Sequence, residues 1–469
     1  MRNTVLATAV AATQALAAPQ AFAQAKGSAT KAEVQAIEAQ MKALAERLNK
    51  LESTNTQLQS ENAELKAVVD RREAEIDYLK SQTRELREEG AVASNEIGKV
   101  KGADWATKLK GRGDFRYRHE MIDPERVVNG QAEDAADRTR HRIRARLGFD
   151  YKVTDTLKGT LLFATGGDDP RSSNQTLGGT GTRKSIGVDM AYVDWKFMDG
   201  ANLVLGKQPH PYFRPGQSMF FDGDFNPEGG AVKFDRGMFF GTGYGWWLTE
   251  QYNANPKGEN NDSNLFGAQV GMKFPLLGGE TVLAAHYFDC GACQDNSPLY
   301  ANNGNGNTTF TLPGSTTNLL RYDYEILQLS AQMGTTLLGQ PFTFWADYGQ
   351  NMASGVEYDT AYGVGVVLGK ASNAKTWEVG LSYQDIGKDA LFAQFIDSDF
   401  GDGVAGADGW VLKAGYAPVR NVTLNATYLK NQRTICGTGT APNNRTCGAG
   451  IPEYELDYDR WQLDVNYKF

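Results

Sequence analysis

Histidine and cysteine are scarce, with four of each in 469 residues. His119, His141, His210 and His286 are scattered with no metal-ligand spacing, and the cysteines form two pairs, Cys290 with Cys293 and Cys436 with Cys447, in distant segments. No metal and no cofactor is expected from such a set. Catalytic signatures are equally thin. There is no Gly-x-Ser-x-Gly elbow, and the Gly401-x-Gly403-x-x-Gly406 run lies in an Asp-rich loop. Gly363 to Lys370 misses a phosphate loop by one residue and continues into Ala371 where a hydroxyl is needed. Asp222-Gly-Asp224-Phe-Asn226 opens like a calcium loop, yet Pro227 takes the place of the turn glycine and Lys233 that of the closing glutamate. These absences argue against an enzyme. A formal charge of -8 argues against a general nucleic-acid binder.

Long apolar runs are also missing. Beyond the N-terminus no window approaches the roughly 18 apolar residues that a spanning helix needs, and the mean hydropathy is -0.46. The first residues are different: Arg2 is followed by an apolar stretch from Val5 to about Ala18 and a small-x-small site at Ala21-Phe22-Ala23. That pattern predicts a signal peptide over 1–23, cleaved before Gln24. In an exported chain the natural reading of Cys290, Cys293, Cys436 and Cys447 is two loop disulfides. If the mature chain crosses a membrane, strands must do it, because in a wide barrel only alternate residues face lipid.

What the sequence does have is period-two chemistry. In RTRHRIRARLGFDYKV, Arg138, Arg140, Arg142, Arg144 and Arg146 occupy every second position; Thr139, His141, Ile143 and Ala145 lie between them, and Leu147 and Phe149 continue that other, largely apolar face. On a strand all five guanidinium groups share one face. Lys108, Lys110, Arg112, Arg116 and Arg118 repeat the pattern one strand earlier. A single strand of this kind fits a soluble sandwich as well as a barrel. The connections separate the two. About sixteen strands can be placed from residue 105 to 469; each even-to-odd connection is short, and nearly every odd-to-even one is long and polar. An outer-membrane barrel has this asymmetry, with tight periplasmic turns and long outer loops. Aromatic residues also recur six positions apart on one face, as Phe342 and Tyr348, Trp377 and Tyr383, Trp410 and Tyr416, and Trp461 and Tyr467. That interval spans roughly 20 Å of strand, close to the separation of two interfacial girdles.

Between Lys31 and Gly90 the period changes to three and a half. Core positions a and d would include Ile37, Leu44, Leu48, Leu51, Leu58, Asn62, Leu65 and Leu79. This predicts a coiled coil over 24–89, on the order of 80 Å long, followed by a linker over 90–103. In a parallel in-register assembly Arg47 would face Glu52, Glu61 would face Lys66 and Glu75 would face Lys80, all opposite in sign. A parallel homo-oligomer is favoured, and trimer and dimer both fit the mixed core.

The C-terminus, RWQLDVNYKF, with Phe469 last, resembles the signal by which the barrel-assembly machinery recognises outer-membrane β-barrels. The stretches RIRARLGFDYKVTDTLKGTLLFATGG, AYVDWKF, LVLGKQ, FFDGDFNPEGGAVKF and ALFAQFIDSDFG resemble a putative-porin family of Gram-negative bacteria, some of whose members carry an N-terminal coiled coil. The resemblance implies an all-β transmembrane barrel of about 16 antiparallel strands over 104–469, preceded by the coiled-coil stalk in the periplasm. It implies a passive diffusion channel in outer-membrane lipid, assembled as a homo-oligomer, with a trimer expected. By this resemblance the arginines and lysines form a basic lumen wall, and KQPHPYFRPGQSMFFDGDFNPEG an inward-folded constriction loop carrying Asp222, Asp224 and Glu228. A basic wall facing an acidic loop would set up a transverse field. A continuous arginine track would favour anions outright, and arginines paired with neighbouring carboxylates would do neither. The other expectation is mechanical, with the barrel as an anchor and the stalk as a tether or spacer towards peptidoglycan.

Overall fold

The computed structural model describes residues 31–99, 104–250, 262–299, 303–436 and 452–469. The expected signal peptide and Cys447 lie outside the described residues. The chain divides into two units, Met1–Lys101 and Gly102–Phe469.

The first unit is one helix, α1, Lys31–Lys99. It runs through Gly90, where a stop was expected, as far as Lys99. A lone glycine costs a helix only about 1 kcal/mol, and no proline follows to end it. Ile37, Leu44, Leu48, Leu51, Leu58, Leu65 and Leu79 are 51% to 69% exposed, a stripe that no other described residue covers. Asn62 Nδ2 donates to the Leu58 carbonyl at 2.8 Å. Among the described residues no helix is long and apolar enough to cross a membrane.

The second unit is a closed antiparallel barrel. Its sheet contains eighteen strands, and two of them, Gln131–Asp134 and Gln175–Thr176, are short loop strands. The remaining sixteen are β1 Leu109–Val128, β2 Arg138–Lys152, β3 Leu157–Thr165, β4 Ile186–Met198, β5 Ala201–Lys207, β6 Glu228–Arg236, β7 Phe239–Thr249 and β8 Ser263–Leu276, then β9 Gly279–Gly291, β10 Glu325–Leu337, β11 Gln340–Asn351, β12 Thr360–Gly369, β13 Thr376–Ile386, β14 Ala407–Val419, β15 Val422–Cys436 and β16 Glu453–Lys468. Each strand pairs with its neighbour in sequence. β1 also pairs with β16, from Asp114 opposite Lys468 to Pro124 opposite Tyr458, so no edge is left open.

Turns on one rim are as tight as two residues. At Leu338-Gly339 both residues have positive φ, 52° and 73°, the backbone of the primed turn that matches strand twist. Long loops leave the other rim, and there β1, β15 and β16 extend well beyond the aromatic pairs. Register sets the girdles: Trp377 lies opposite Tyr416, Tyr383 opposite Trp410, and Tyr428 opposite Trp461. Between the two rows Val379, Leu381, Leu412, Leu463 and Val465 face outward.

The core lies inside the barrel. Tyr212, Met219, Phe220, Phe221 and Phe225 of loop 208–227 pack with Phe392, Phe395 and Phe400 of loop 387–406 against Trp246, Phe288 and Tyr324. Phe225 and Phe395 stack at 4.5 Å between ring centroids. The two loops are joined by Asp222 N–H to the Phe395 carbonyl at 2.7 Å and by Asp397 N–H to the Met219 carbonyl at 3.0 Å. Loop 292–324 is tied to the same body by Asn307 Nδ2, which donates to the carbonyls of Lys388 and Leu391. The disulfide joins Cys290 to Cys293 across a Cα separation of 5.6 Å, buried where β9 enters that loop.

Candidate functional site

Because aromatic loops fill the lumen on the β7–β11 side, open space remains along β1, β2 and β14–β16. A cavity of about 520 Å³ lies there, lined by Arg116, Arg118, Arg144 and Arg146 from the wall and by Asp222, Asp224, Asp397 and Asp399 from the two inward loops. Arg171, Glu378, Lys413 and Asp464 complete its charged border.

Strand parity puts Arg112, Arg116 and Arg118 of β1 on one face, with Asp114 and Glu120 among them. The register then sets Asp114 opposite Arg146, Arg116 opposite Arg144, Arg118 opposite Arg142 and Glu120 opposite Arg140. Most of the ladder is thereby paired. Arg146 Nε donates to Asp114 at 2.7 Å, and Arg144 Nη2 lies 2.9 Å from the same carboxylate. Asp224 lies 3.3 Å from Arg144 and 3.6 Å from Arg146. Arg140 pairs with Glu120, which is fully buried. Arg112 lies 3.5 Å from Asp150. Arg118 grips Asp464 across the β1–β16 seam and reaches Asp399 at 2.8 Å. Arg116 and Arg142 bond instead to Asn174 and Ser172 of loop 166–185.

The ends of the expected wall are looser. Arg138 is exposed, opposite Ile122 near the start of β2, and Lys110 is exposed, opposite Asp150. Lys108 precedes β1, and its carbonyl accepts from the Lys152 N–H.

The three acidic residues expected on the constriction loop go to three places. Asp224 faces the arginines and also accepts from Ser173 N–H and Oγ. Asp222 accepts from the backbone N–H groups of Asp224 and Ser398, so it ties the two inward loops together. Burial pushes its carboxyl well above the usual carboxylate range, and Asp397 and Asp224 add to the shift. Glu228 is exposed at the start of β6, pairs with Lys207 at 3.2 Å, and lines a separate cavity of about 460 Å³ under loop 166–185. Asp224 borders both cavities.

Several charged groups were not anticipated. Asp114 and Glu120 could have been read from parity, since they stand on the arginine face of β1. Asp397 and Asp399 could not, because they belong to an irregular loop whose inward fold leaves no periodic signal. Asp399 is bridged by Arg118 and by Arg460 of β16, the latter at 2.5 Å. Burial alone would raise its pKa, but the two guanidinium groups hold it well below the ordinary range. Arg171 is buried and donates through Nη1 to the carbonyls of Ala393 and Gly403, at 3.1 and 2.9 Å, clamping loop 387–406.

The cavity sets fixed charges of both signs beside space large enough for water and small solutes. Among the described residues no group of three or more His, Cys, Asp or Glu side chains is placed to hold a metal ion.

The family described as "Putative porin" matches residues 124–318 and 307–469. No curated protein matches the chain. Among solved structures, it resembles OprB of Pseudomonas putida at 13% identity and a TM-score of 0.48, over 80% of this chain and 97% of that one. The outer membrane channel DcaP of Acinetobacter baumannii matches at 12% identity and 0.44, over 77% and 97%. OmpF of Salmonella typhi, in complex with daunomycin, matches at 12% identity and 0.41, over the same shares.

Proposed function

The chain belongs to the putative-porin family, and from that membership we propose that it is a passive diffusion channel of the outer membrane for small hydrophilic solutes and ions. The observation that carries this reading is the charged cavity of about 520 Å³ inside a closed barrel whose outward face is apolar between two aromatic rows. A sheet with no edge satisfies its backbone without solvent, and the polar lumen needs water. No part of this reading asks for catalysis.

In this reading Lys108, Lys110, Arg112, Arg116, Arg118 and the arginines from Arg138 to Arg146 make one wall of the conduit, with Asp224 on the constriction loop facing it and Asp222 fixing that loop in place. Ion pairing to Asp114 and Asp224 tempers the anion preference that unpaired guanidinium groups would give, so solutes of either charge pass. The rim with tight turns is assigned to the periplasm. β1 starts on that rim and an even strand number returns the C-terminus there, so the helix belongs to the periplasmic side. Residues 1–23 are the leader, the coil that was expected to stop at Gly90 continues with α1 to Lys99, and 104–469 form the channel. The exposed leucine stripe takes two further copies of the chain, giving a trimer, and the last residues are read by the barrel-assembly machinery.

Swelling of proteoliposomes in isotonic solutions of small sugars tests the reading. Rates that fall with sugar size are expected. The exposed stripe also favours a second reading, in which the barrel anchors a tether towards peptidoglycan. Inserted protein that causes no swelling would leave only that one.

A further inference from the structure

Two guanidinium groups on the wall form no direct ion pair among the described residues. Arg116 and Arg142 are diagonal neighbours across β1 and β2, and neither reaches a carboxylate within ion-pairing distance among the described residues. Neutral groups join them instead. Arg116 Nη2 donates to Asn174 Oδ1 at 2.6 Å, Asn174 Nδ2 donates to Ser172 Oγ at 3.3 Å, and Arg142 Nη2 donates to the same Oγ at 3.3 Å. The Nε of each arginine is shielded from solvent and has no acceptor. A guanidinium carries five N–H donors, so most of the hydrogen-bonding capacity of this pair is unspent.

Sheltered cations without counter-charge are unfavourable, and here each also stands directly opposite another arginine. Their neighbours solve the same problem with direct ion pairs to Asp114, Asp224, Asp464 and Glu120; carboxylates act on these two only at longer range, Asp464 and Asp224 on Arg116 and Glu120 and Asp399 on Arg142, so both keep donors for an anion from solution. Arg116 and Asn174 border the cavity of about 520 Å³ and Ser172 the one of about 460 Å³, which gives a solute access. Planar forked donors match the paired oxygens of a carboxylate or phosphate better than a spherical halide.

We propose that Arg116 and Arg142, bridged by Ser172 and Asn174, form a docking site in the lumen for a small oxyanion, a carboxylate or a phosphate. The site rests on the reading of the barrel as an open channel.

The test uses the full chain in planar bilayers bathed in potassium chloride, with inorganic phosphate or citrate added. The wild-type current is expected to fall saturably with the added oxyanion. The R116K/R142K variant keeps both charges and loses both forks, so it should need at least about tenfold more oxyanion for the same fall. Saturation with phosphate alone assigns a phosphoryl ligand, with citrate alone a carboxylate, and with both their shared chemistry. Equal responses in variant and wild type, or no saturation in the wild type, overturn the site and leave the channel standing. Inserted wild-type protein that carries no chloride current overturns both. Should the double variant not insert, R116K alone serves the same comparison.

Discussion

Arg118 and Asp464 stand directly opposite each other across the seam where β1 meets β16, and they join through two parallel contacts, Nε to Oδ1 at 2.7 Å and Nη2 to Oδ2 at 2.9 Å. Both side chains are nearly buried, so removing one leaves the other charge stranded beside the closure of the barrel. Asp464→Ala is predicted to cost on the order of 3 kcal/mol, read as a lower urea midpoint in detergent. An unchanged midpoint would mean that Asp399 alone satisfies Arg118.

Asp114 is shared by Arg144 and Arg146. Asp114→Asn leaves both arginines with Asp224 alone and should shift the reversal potential in a salt gradient towards anions. Arg144→Ala should shift it towards cations. Shifts of the same sign in the two variants would show that these pairs do not set selectivity.

Arg171 holds loop 387–406 through two carbonyls. Losing two hydrogen bonds from a charged donor costs on the order of 3 kcal/mol, about a hundredfold in the ratio of docked to undocked loop. Arg171→Ala should therefore add flicker to the open-channel current without stopping insertion. A current as quiet as that of the wild type would place the hold elsewhere.

Leu44, Leu51 and Leu58 lie on the exposed stripe of α1. Replacing all three with Glu removes the apolar seam and places like charges along it. Native electrophoresis should then show a smaller assembly that still conducts. Trimers of undiminished stability would show that the barrel surface assembles them alone.

Much of the barrel is legible in the sequence because lipid and water impose opposite demands on alternate residues. Trp410, Leu412, Ala414 and Tyr416 announce one face of β14, segments of this kind add up to about sixteen strands, and the asymmetry of turns and loops marks them as a barrel. The helix is legible from its heptads up to Gly90, but its end is not, since a single glycine is a weak stop. The lumen is less legible. The ladder from Arg138 to Arg146 is plain, and its neutralisation by Asp114 and Glu120 follows from parity once the β1–β2 register is known. Loop 387–406 is beyond such reading, because Phe392, Phe395 and Phe400 are buried by contacts with a loop distant in sequence, and no period marks them.

A channel requires a continuous water-filled path through the barrel, past its charged constriction. Single-channel recording of the purified full chain in a planar bilayer tests this most directly. Discrete current steps whose size rises with potassium chloride concentration are predicted; stable insertion without current at any concentration would mean that the lumen is closed and the barrel is no channel.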